Sequence, residues 1–228
     1  MSEQVRLMFS DISESYDLGN DVLSLGMHRL WKKKFVKLAG PKSGDRVLDV
    51  ATGTGDIATI FAKKVGKGGE VVGVDFSPAM IARARSRAKN LLPNLRFESG
   101  DALDLRFASN TFDIASISFG IRNVDNPAAG LKEMMRTVKP GGHVAVLEFG
   151  QPSGMWGAFY RFYSRTLLPF LGGLISGNEE AYSYLDETSA RFPSGEKFVA
   201  LMREVGFTDI VAHSLLGGVA WIYVGKVG

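Results

Sequence analysis

Short apolar runs alternate with stretches of helical spacing along most of this chain, a pattern that predicts a parallel sheet with helices between its strands. Val47, Leu48 and Val50 form a short apolar run around Asp49, bounded by Lys42-Ser43-Gly44-Asp45 before and by glycines after, as in a strand buried on both faces. From Asp56 through Ala62 the apolar positions switch to helical spacing. Glu70 to Asp75 predicts a second strand. Ser77-Pro78, a cap with proline at the first helical position, starts a helix through Met80, Ile81 and Ala84 to about Asn90. Leu95 to Ser99 and Phe112 to Ser118 predict the third and fourth strands. A helix from about Pro127 to Val138 is stopped by Lys139-Pro140-Gly141-Gly142, and His143 to Phe149 follows as the fifth strand. Ser194 is placed to cap a last helix. Thr208 to Ala212 and Val219 to Val224, around Gly217-Gly218, predict a closing antiparallel pair.

Two segments depart from this alternation. Residues 7–40 mix polar and aromatic side chains, among them Tyr16, Asn20, His28 and Trp31. They end in a helical pattern that sets Leu30, Phe35, Val36 and Leu38 on an inner side and leaves Lys32, Lys33, Lys34 and Lys37 in water. Such a segment fits a helix over a sheet edge, or a flap that brings Tyr16, Asn20 or His28 near reacting atoms. From Met155 to Ile175 the chain is dense in aromatic and aliphatic residues, including Trp156, Phe159 and Tyr160. Arg161, Arg165 and Pro169 interrupt it, which disfavours a membrane span. A core helix and an amphipathic lid for a long apolar substrate both fit, and Gly172, Gly173 and Gly177, as hinges, favour the lid. The predicted organisation is one domain over residues 1–228, with a flap at 1–40 and a lid at 152–192. Arg83, Arg85, Arg87 and Lys89, two apart along one helix, are expected to spread round it as solvating charge.

Composition narrows the chemistry. The 228 residues include no cysteine, which removes disulfides, thiolate zinc sites and a cysteine nucleophile together, and fits a reducing cytoplasm. A net charge of +3 permits an anionic membrane surface without demanding one. The first six residues hold no apolar run, so no secretory signal is expected, and no uncharged stretch is long enough to cross a bilayer.

The candidate site starts at Gly53-Thr54-Gly55-Asp56. Two glycines at a strand-to-helix turn let backbone N–H groups approach a ligand at the positive end of a helix. Gly53-x-Gly55-x-x-Ala58 also fits the loose dinucleotide fingerprint, and Asp75, placed to accept from ribose hydroxyls and followed by Phe76, suits any adenosine. Asp49 and Asp56 favour S-adenosylmethionine over NAD, because carboxylates beside the loop repel a pyrophosphate and attract a sulfonium and an ammonium. Asp101 could accept from an adenine amino group with the Ala102 N–H facing the ring, or simply cap a turn. Across the cleft, Ser118 to Val124 leaves the fourth strand where α/β sheets bind ligands, which aims Arg122 and Asn123 at an acceptor. Their bland alternatives are an Arg–Asp pair and an Asn helix cap.

The whole pattern resembles the C-methyltransferases of menaquinone and ubiquinone biosynthesis, and among them the demethylmenaquinone methyltransferases fit best. The resemblance rests on Tyr16-Asp17 through Asn20, Ser24, His28 and Trp31; on Leu48-Asp49-Val50-Ala51 with Gly53-Thr54-Gly55-Asp56; on Ile117 to Val124; on Lys139-Pro140-Gly141-Gly142 through Leu147-Glu148-Phe149; and on Tyr182 with Tyr184-Leu185. It implies a class I methyltransferase Rossmann-like α/β fold, a mostly parallel seven-stranded sheet with an antiparallel C-terminal strand and helices on both faces. It implies S-adenosyl-L-methionine as methyl donor, with contacts at Thr54, Asp75, Asp101, Ala102 and Ser118, to which the reading of the loop adds Asp49, Gly53, Gly55 and Phe76. The acceptor it implies is a polyprenylated quinol, naphthoquinol or benzoquinol, lying against Tyr16, Asn20, Phe119, Trp156 and Tyr160. Arg122, Asn123, His28 and Tyr184 are then the candidates for catalysis, Arg122 stabilising a developing phenolate. A peripheral contact with the inner face of the membrane suits such an acceptor, and the sequence leaves a homodimer or a quinone-biosynthesis complex open. Gly19, Thr137 and Gly150 stand where the family usually has methionine, an aliphatic residue and serine. Nucleic acid is not expected as substrate: cytosine C5 chemistry of the covalent kind needs a cysteine, and no Asn-Pro-Pro-Tyr-like turn follows the fourth strand. A non-catalytic donor-binding protein is the rival of a different class.

Overall fold

The computed structural model describes residues 27–88, 92–162 and 188–228. Tyr16, Asn20 and Tyr184, with most of the flap and lid, lie outside the described residues. The elements in chain order are α1 (Met27–Ala39), β1 (Arg46–Val50), α2 (Asp56–Val65), β2 (Glu70–Asp75), α3 (Pro78–Ala88), β3 (Leu95–Ser99), β4 (Phe112–Ser118), α4 (Pro127–Thr137), β5 (Val138–Phe149), α5 (Gly154–Phe162), α6 (Glu196–Val205), β6 (Thr208–Leu215) and β7 (Ala220–Lys226).

One seven-stranded sheet runs in the order β3-β2-β1-β4-β5-β7-β6. β1 pairs in parallel with β2 and β4, as do β2 with β3 and β4 with β5, whereas β7 is antiparallel to β5 and β6. The order reverses between β1 and β4, so their carboxyl ends open the crevice where such sheets bind ligands.

Side-chain alternation divides the core into two layers. Val47, Ala145 and Leu147 meet α1, α2 and α3 through Phe35, Phe61 and Ile81 on one face; Leu48, Val50, Val144 and Val146 meet α4 and α6 through Leu131, Met134 and Phe198 on the other. Asp49 and Ser116 share the face of Val47, which points both toward α1 and α2 rather than into water.

The predicted strands and the helices between them are present, and four local readings change. Leu30 is 64% exposed, and His28, Trp31, Phe35 and Val36 form the buried side of α1 instead. Lys32 is not solvated: its Nζ lies 3.0 Å from Asp56 Oδ2. The α3 arginines reach inward, Arg85 to the Phe97 carbonyl at 2.7 Å and Arg87 to the Thr54 hydroxyl at 2.7 Å, because their long stems span from α3 to β3 and to the glycine loop. α6 has Gly195 at its cap with no side-chain bond, and the Ser194 hydroxyl accepts from the Gln151 N–H. Gly150 has no room for a Cβ, which would lie 2.5 Å from Trp221 Cδ1.

Candidate functional site

The turn after β1 departs from ordinary backbone at three of five residues: Ala51, Gly53 and Gly55 have φ of 52°, 55° and 84°. The Thr52 N–H bonds to the Val74 carbonyl and the Gly53 N–H to Asp75 Oδ2 at 2.8 Å, so the tip of β2 holds the loop in shape. The two glycines serve different ends. A Cβ at Gly55 would lie 2.6 Å from Phe97 Cζ, whereas one at Gly53 meets nothing within 4 Å. Gly55 allows packing; the open side of the loop is at Gly53. Gly55 offers no side-chain cap, and Asp49 accepts from the Ala58 N–H in the first turn of α2; the N–H groups before it, at the positive end of the helix, suit a ligand.

Three carboxylates surround this loop in unlike environments. Asp49 is fully buried, accepts from the Thr52 and Ser116 hydroxyls at 2.6 and 2.7 Å, and has its pKa pushed from 3.8 up to about 6 by burial, which outweighs those bonds. Burial also raises Asp75, against the opposing Ser77 and Gly53 N–H bonds. Asp56 goes the other way: burial is outweighed by Lys32, then Arg87, with His28 adding a smaller pull, and its pKa falls. Asp56 is therefore tied up by Lys32 and Arg87, at 3.0 and 2.9 Å, and the attraction for a cationic donor expected of it rests on Asp49 and Asp75 alone.

The sign of the Asp49 effect gives a test. A carboxyl whose folded pKa lies above its ordinary value favours the fold when protonated, so the cost of ionising it is absent near pH 4 and complete above pH 6. A displacement from 3.8 to about 6 corresponds to about 3 kcal/mol. Asp49→Asn should therefore unfold at higher urea than the parent at pH 7.5, by up to that amount, and show no gain at pH 4. Its affinity for S-adenosylhomocysteine should drop about tenfold or more, with the loss of a carboxylate facing an ammonium. A less stable variant at pH 7.5 would mean that the two hydroxyl bonds outweigh burial.

Across the crevice the β4 exit is also strained. Phe119 has φ 54°, and a Cβ on Gly120 would lie 2.6 Å from Ala51 Cβ, so this exit rests directly on the glycine loop. Arg122 is 5% exposed at its side chain and pairs with Glu148, 1% exposed: NH1 donates to Glu148 Oε1 at 2.8 Å and to the Phe119 carbonyl at 2.6 Å. Glu148, not an aspartate, is its partner. The guanidinium also lies 5.3 Å over the Phe149 ring, which packs on Phe119 with centroids 4.4 Å apart. Asn123 is buried in a 3-10 turn, Ile121–Asn123, and the cap of α4 is Asn126, whose side chain accepts from the Ala129 N–H. The Ser118 hydroxyl and Arg122 Nε are buried without a hydrogen-bond partner among the described residues. Two unsatisfied donors at one strand exit mark a place for a polar ligand.

The remaining predicted residues distribute round this frame. Thr54 is buried with its hydroxyl on Arg87, and Phe76 is half-buried after β2. Asp101 uses Oδ1 to cap its own turn through the Leu103 N–H, with Ala102 half-buried inside that turn. His28 is buried on α1 near the Asp56 charge. Phe119 and Tyr160 join Met27 and Phe149 against one core layer, whereas Trp156 is 44% exposed, stacked on Phe159 and bonded to the Leu216 carbonyl. Ser116, Arg87, Lys32 and Glu148 were missed as site residues. For Glu148 a signal was present, an acid inside the apolar run from Val144 to Phe149. A separate cavity of about 290 Å³ near Glu70, Leu95 and Arg96 lies at the amino ends of β2 and β3, the wrong end of the sheet for this chemistry. No cluster of acids and histidines among the described residues could hold a metal.

The open face at Gly53, two carboxylates without cationic partners among the described residues and the unsatisfied Ser118 hydroxyl fit a cationic adenosine ligand. Comparison with known proteins agrees. The model of the ubiE/COQ5 methyltransferase family matches residues 1–226. The chain is 50% identical over 227 residues to the ubiquinone/menaquinone biosynthesis C-methyltransferase UbiE of Bdellovibrio bacteriovorus, covering 99% of this chain and 96% of that protein. It is 40% identical to the UbiE of Pseudomonas fluorescens, over 98% and 89% of the two chains. Among solved structures, a possible histamine N-methyltransferase from Thermotoga maritima superposes with a TM-score of 0.69 at 22% identity, over 97% of this chain and 100% of that one. Phosphoethanolamine N-methyltransferase 2 of Haemonchus contortus, in complex with S-adenosyl-L-methionine, gives 0.65 at 18%, over 86% and 52%. At these identities the two structures speak to the fold alone.

Proposed function

The chain belongs to the ubiE/COQ5 methyltransferase family, and on that premise we propose that it transfers a methyl group from S-adenosyl-L-methionine to a ring carbon of a lipid quinol on the route to menaquinone or ubiquinone. The 50% identity to the Bdellovibrio bacteriovorus enzyme over nearly the full length carries this reading. When bound, the donor supplies an electrophilic methyl; alignment, exclusion of water and handling of the quinol proton fall to the protein. Asp75 takes the ribose hydroxyls, Asp49 the ammonium side, the start of α2 the carboxylate, and the Ser118 hydroxyl gains in the ligand the partner it lacks. Arg122 and Asn123, held at the β4 exit, face the quinol oxygen, with Phe119 and Tyr160 as the apolar floor under the ring. A permanently protonated guanidinium suits stabilisation of a phenolate better than removal of its proton.

The acceptor is tested by incubating the protein with methyl-labelled donor and reduced demethylmenaquinone, or its benzoquinol counterpart. Label on a ring carbon is expected, and none with either quinol would overturn the reading.

No helix among the described residues is long and apolar enough to cross a membrane. Contact with the cytoplasmic surface is instead assigned to α5, where Met155, Trp156 and Phe159 are 92%, 44% and 62% exposed. An indole with an apolar body and a polar N–H suits the interface. Met155→Glu with Phe159→Glu should slow methylation of a long-tailed quinol in anionic vesicles about tenfold and leave a short-tailed, soluble quinol unaffected. Equal rates on the vesicle substrate would remove the membrane role of α5.

A further inference from the structure

The buried Arg122–Glu148 pair is not explained by stability. Two apolar residues of similar volume would hold the same place as well or better, since desolvating both charges offsets most of their attraction. Glu148 is nonetheless committed wholly to this corner. Its Oε1 accepts from Arg122 NH1 at 2.8 Å and from the Phe149 N–H at 2.9 Å, and its Oε2 lies 3.4 Å from the Arg122 N–H. The guanidinium it holds is anchored on the Phe119 carbonyl, next to Gly120, and Gly120 touches Ala51 at the start of the donor loop.

The donor is a cation. S-adenosyl-L-methionine carries a sulfonium and an ammonium against one carboxylate, a net charge of +1, whereas S-adenosyl-L-homocysteine, with a neutral thioether, has none. A bare guanidinium one short turn from the loop would repel the sulfonium. At a separation on the order of 8 Å and an effective dielectric near ~20, that repulsion weakens binding roughly tenfold to thirtyfold.

We propose that Glu148 is a positioning and charge-compensating residue for methyl transfer: it cancels the charge of Arg122, so that a cationic donor and a guanidinium can occupy one crevice, and with the Phe119 carbonyl it pins NH1, leaving the buried Nε–H without a partner among the described residues. This rests on the donor site described above and not on the identity of the quinol.

The test is calorimetric titration of the full chain with both S-adenosyl compounds, so that charge is read separately from shape. Glu148→Gln should bind S-adenosyl-L-methionine roughly ten- to thirtyfold more weakly relative to S-adenosyl-L-homocysteine than the parent does. Arg122→Gln, which leaves Glu148 unopposed, should move the same ratio in the opposite direction, and the double variant should return it to the parental value. Opposite signs in two independent variants keep the test decisive if one of them fails to fold. An equal loss of both ligands, or a ratio that stays parental in the folded single variants, overturns the proposal and leaves Glu148 a structural residue. Failure of the parent to bind either ligand would instead dispose of the donor site itself.

Discussion

Arg122→Ala is expected to lower turnover about 10² to 10³-fold, the range for removing one preorganised donor from a developing oxyanion. Affinity for S-adenosyl-L-homocysteine should stay within about twofold, because the neutral thioether does not sense the guanidinium. The structure adds a second consequence. Removing one partner of a buried ion pair leaves the other charge uncompensated, which costs about 3–5 kcal/mol, and Glu148 is 1% exposed. The midpoint in urea should fall accordingly, so turnover must be measured where the variant is folded by circular dichroism. Arg122→Lys separates the two effects: a lysine ammonium can donate to Glu148 and the Phe119 carbonyl, which share the single NH1 nitrogen, but it carries no second nitrogen such as Nε to offer the quinol oxygen. Stability should largely return and turnover should not. Near-normal turnover in a folded Arg122→Ala protein would remove Arg122 from the chemistry.

The glycine loop should separate folding from binding in the same way. Gly55→Ala meets a φ of 84° and a Phe97 ring atom 2.6 Å from the new Cβ, with Ala84 Cβ at 3.3 Å behind it. Left-handed strain of about 1–2 kcal/mol adds to overpacking of about 1–3 kcal/mol, so the variant should be destabilised by about 2–5 kcal/mol and lose the donor with the shape of the loop. Gly53→Ala carries the strain without the collision, since its Cβ enters open space. It should lose only about 1–2 kcal/mol of stability and yet bind S-adenosyl-L-homocysteine more than about tenfold more weakly, because the methyl occupies the side the ligand approaches. Urea melts alongside calorimetry distinguish the two, and equal destabilisation of both variants would mean that the loop has no open face.

Much of this site was legible in the residue order. The β1 run, the two glycines, the acid closing β2 and the apolar alternation of β4 and β5 are local patterns, and local patterns set strands, turns and the face each side chain takes. The resemblance to quinone C-methyltransferases followed from motifs of the same local kind. Charge was read less well. Lys32, Arg85 and Arg87 looked like solvating residues and Asp56 like a free carboxylate beside the donor, because spacing along the chain says nothing about a partner 24 or 31 residues away.

The sequence by itself determined the doubly wound sheet and the nucleotide end of that sheet, since both depend on periodicity and on glycines at a strand-to-helix turn, and its motifs carried the resemblance to the family. Only the tertiary structure decided which carboxylates keep their charge for a ligand. Asp56 is neutralised by cations from α1 and α3, Asp49 has its pKa raised to about 6 chiefly by burial, and Arg122 is matched with an acid from a neighbouring strand. Electrostatic energy falls with distance and rises with desolvation, and both quantities come into being only when the strands lie side by side.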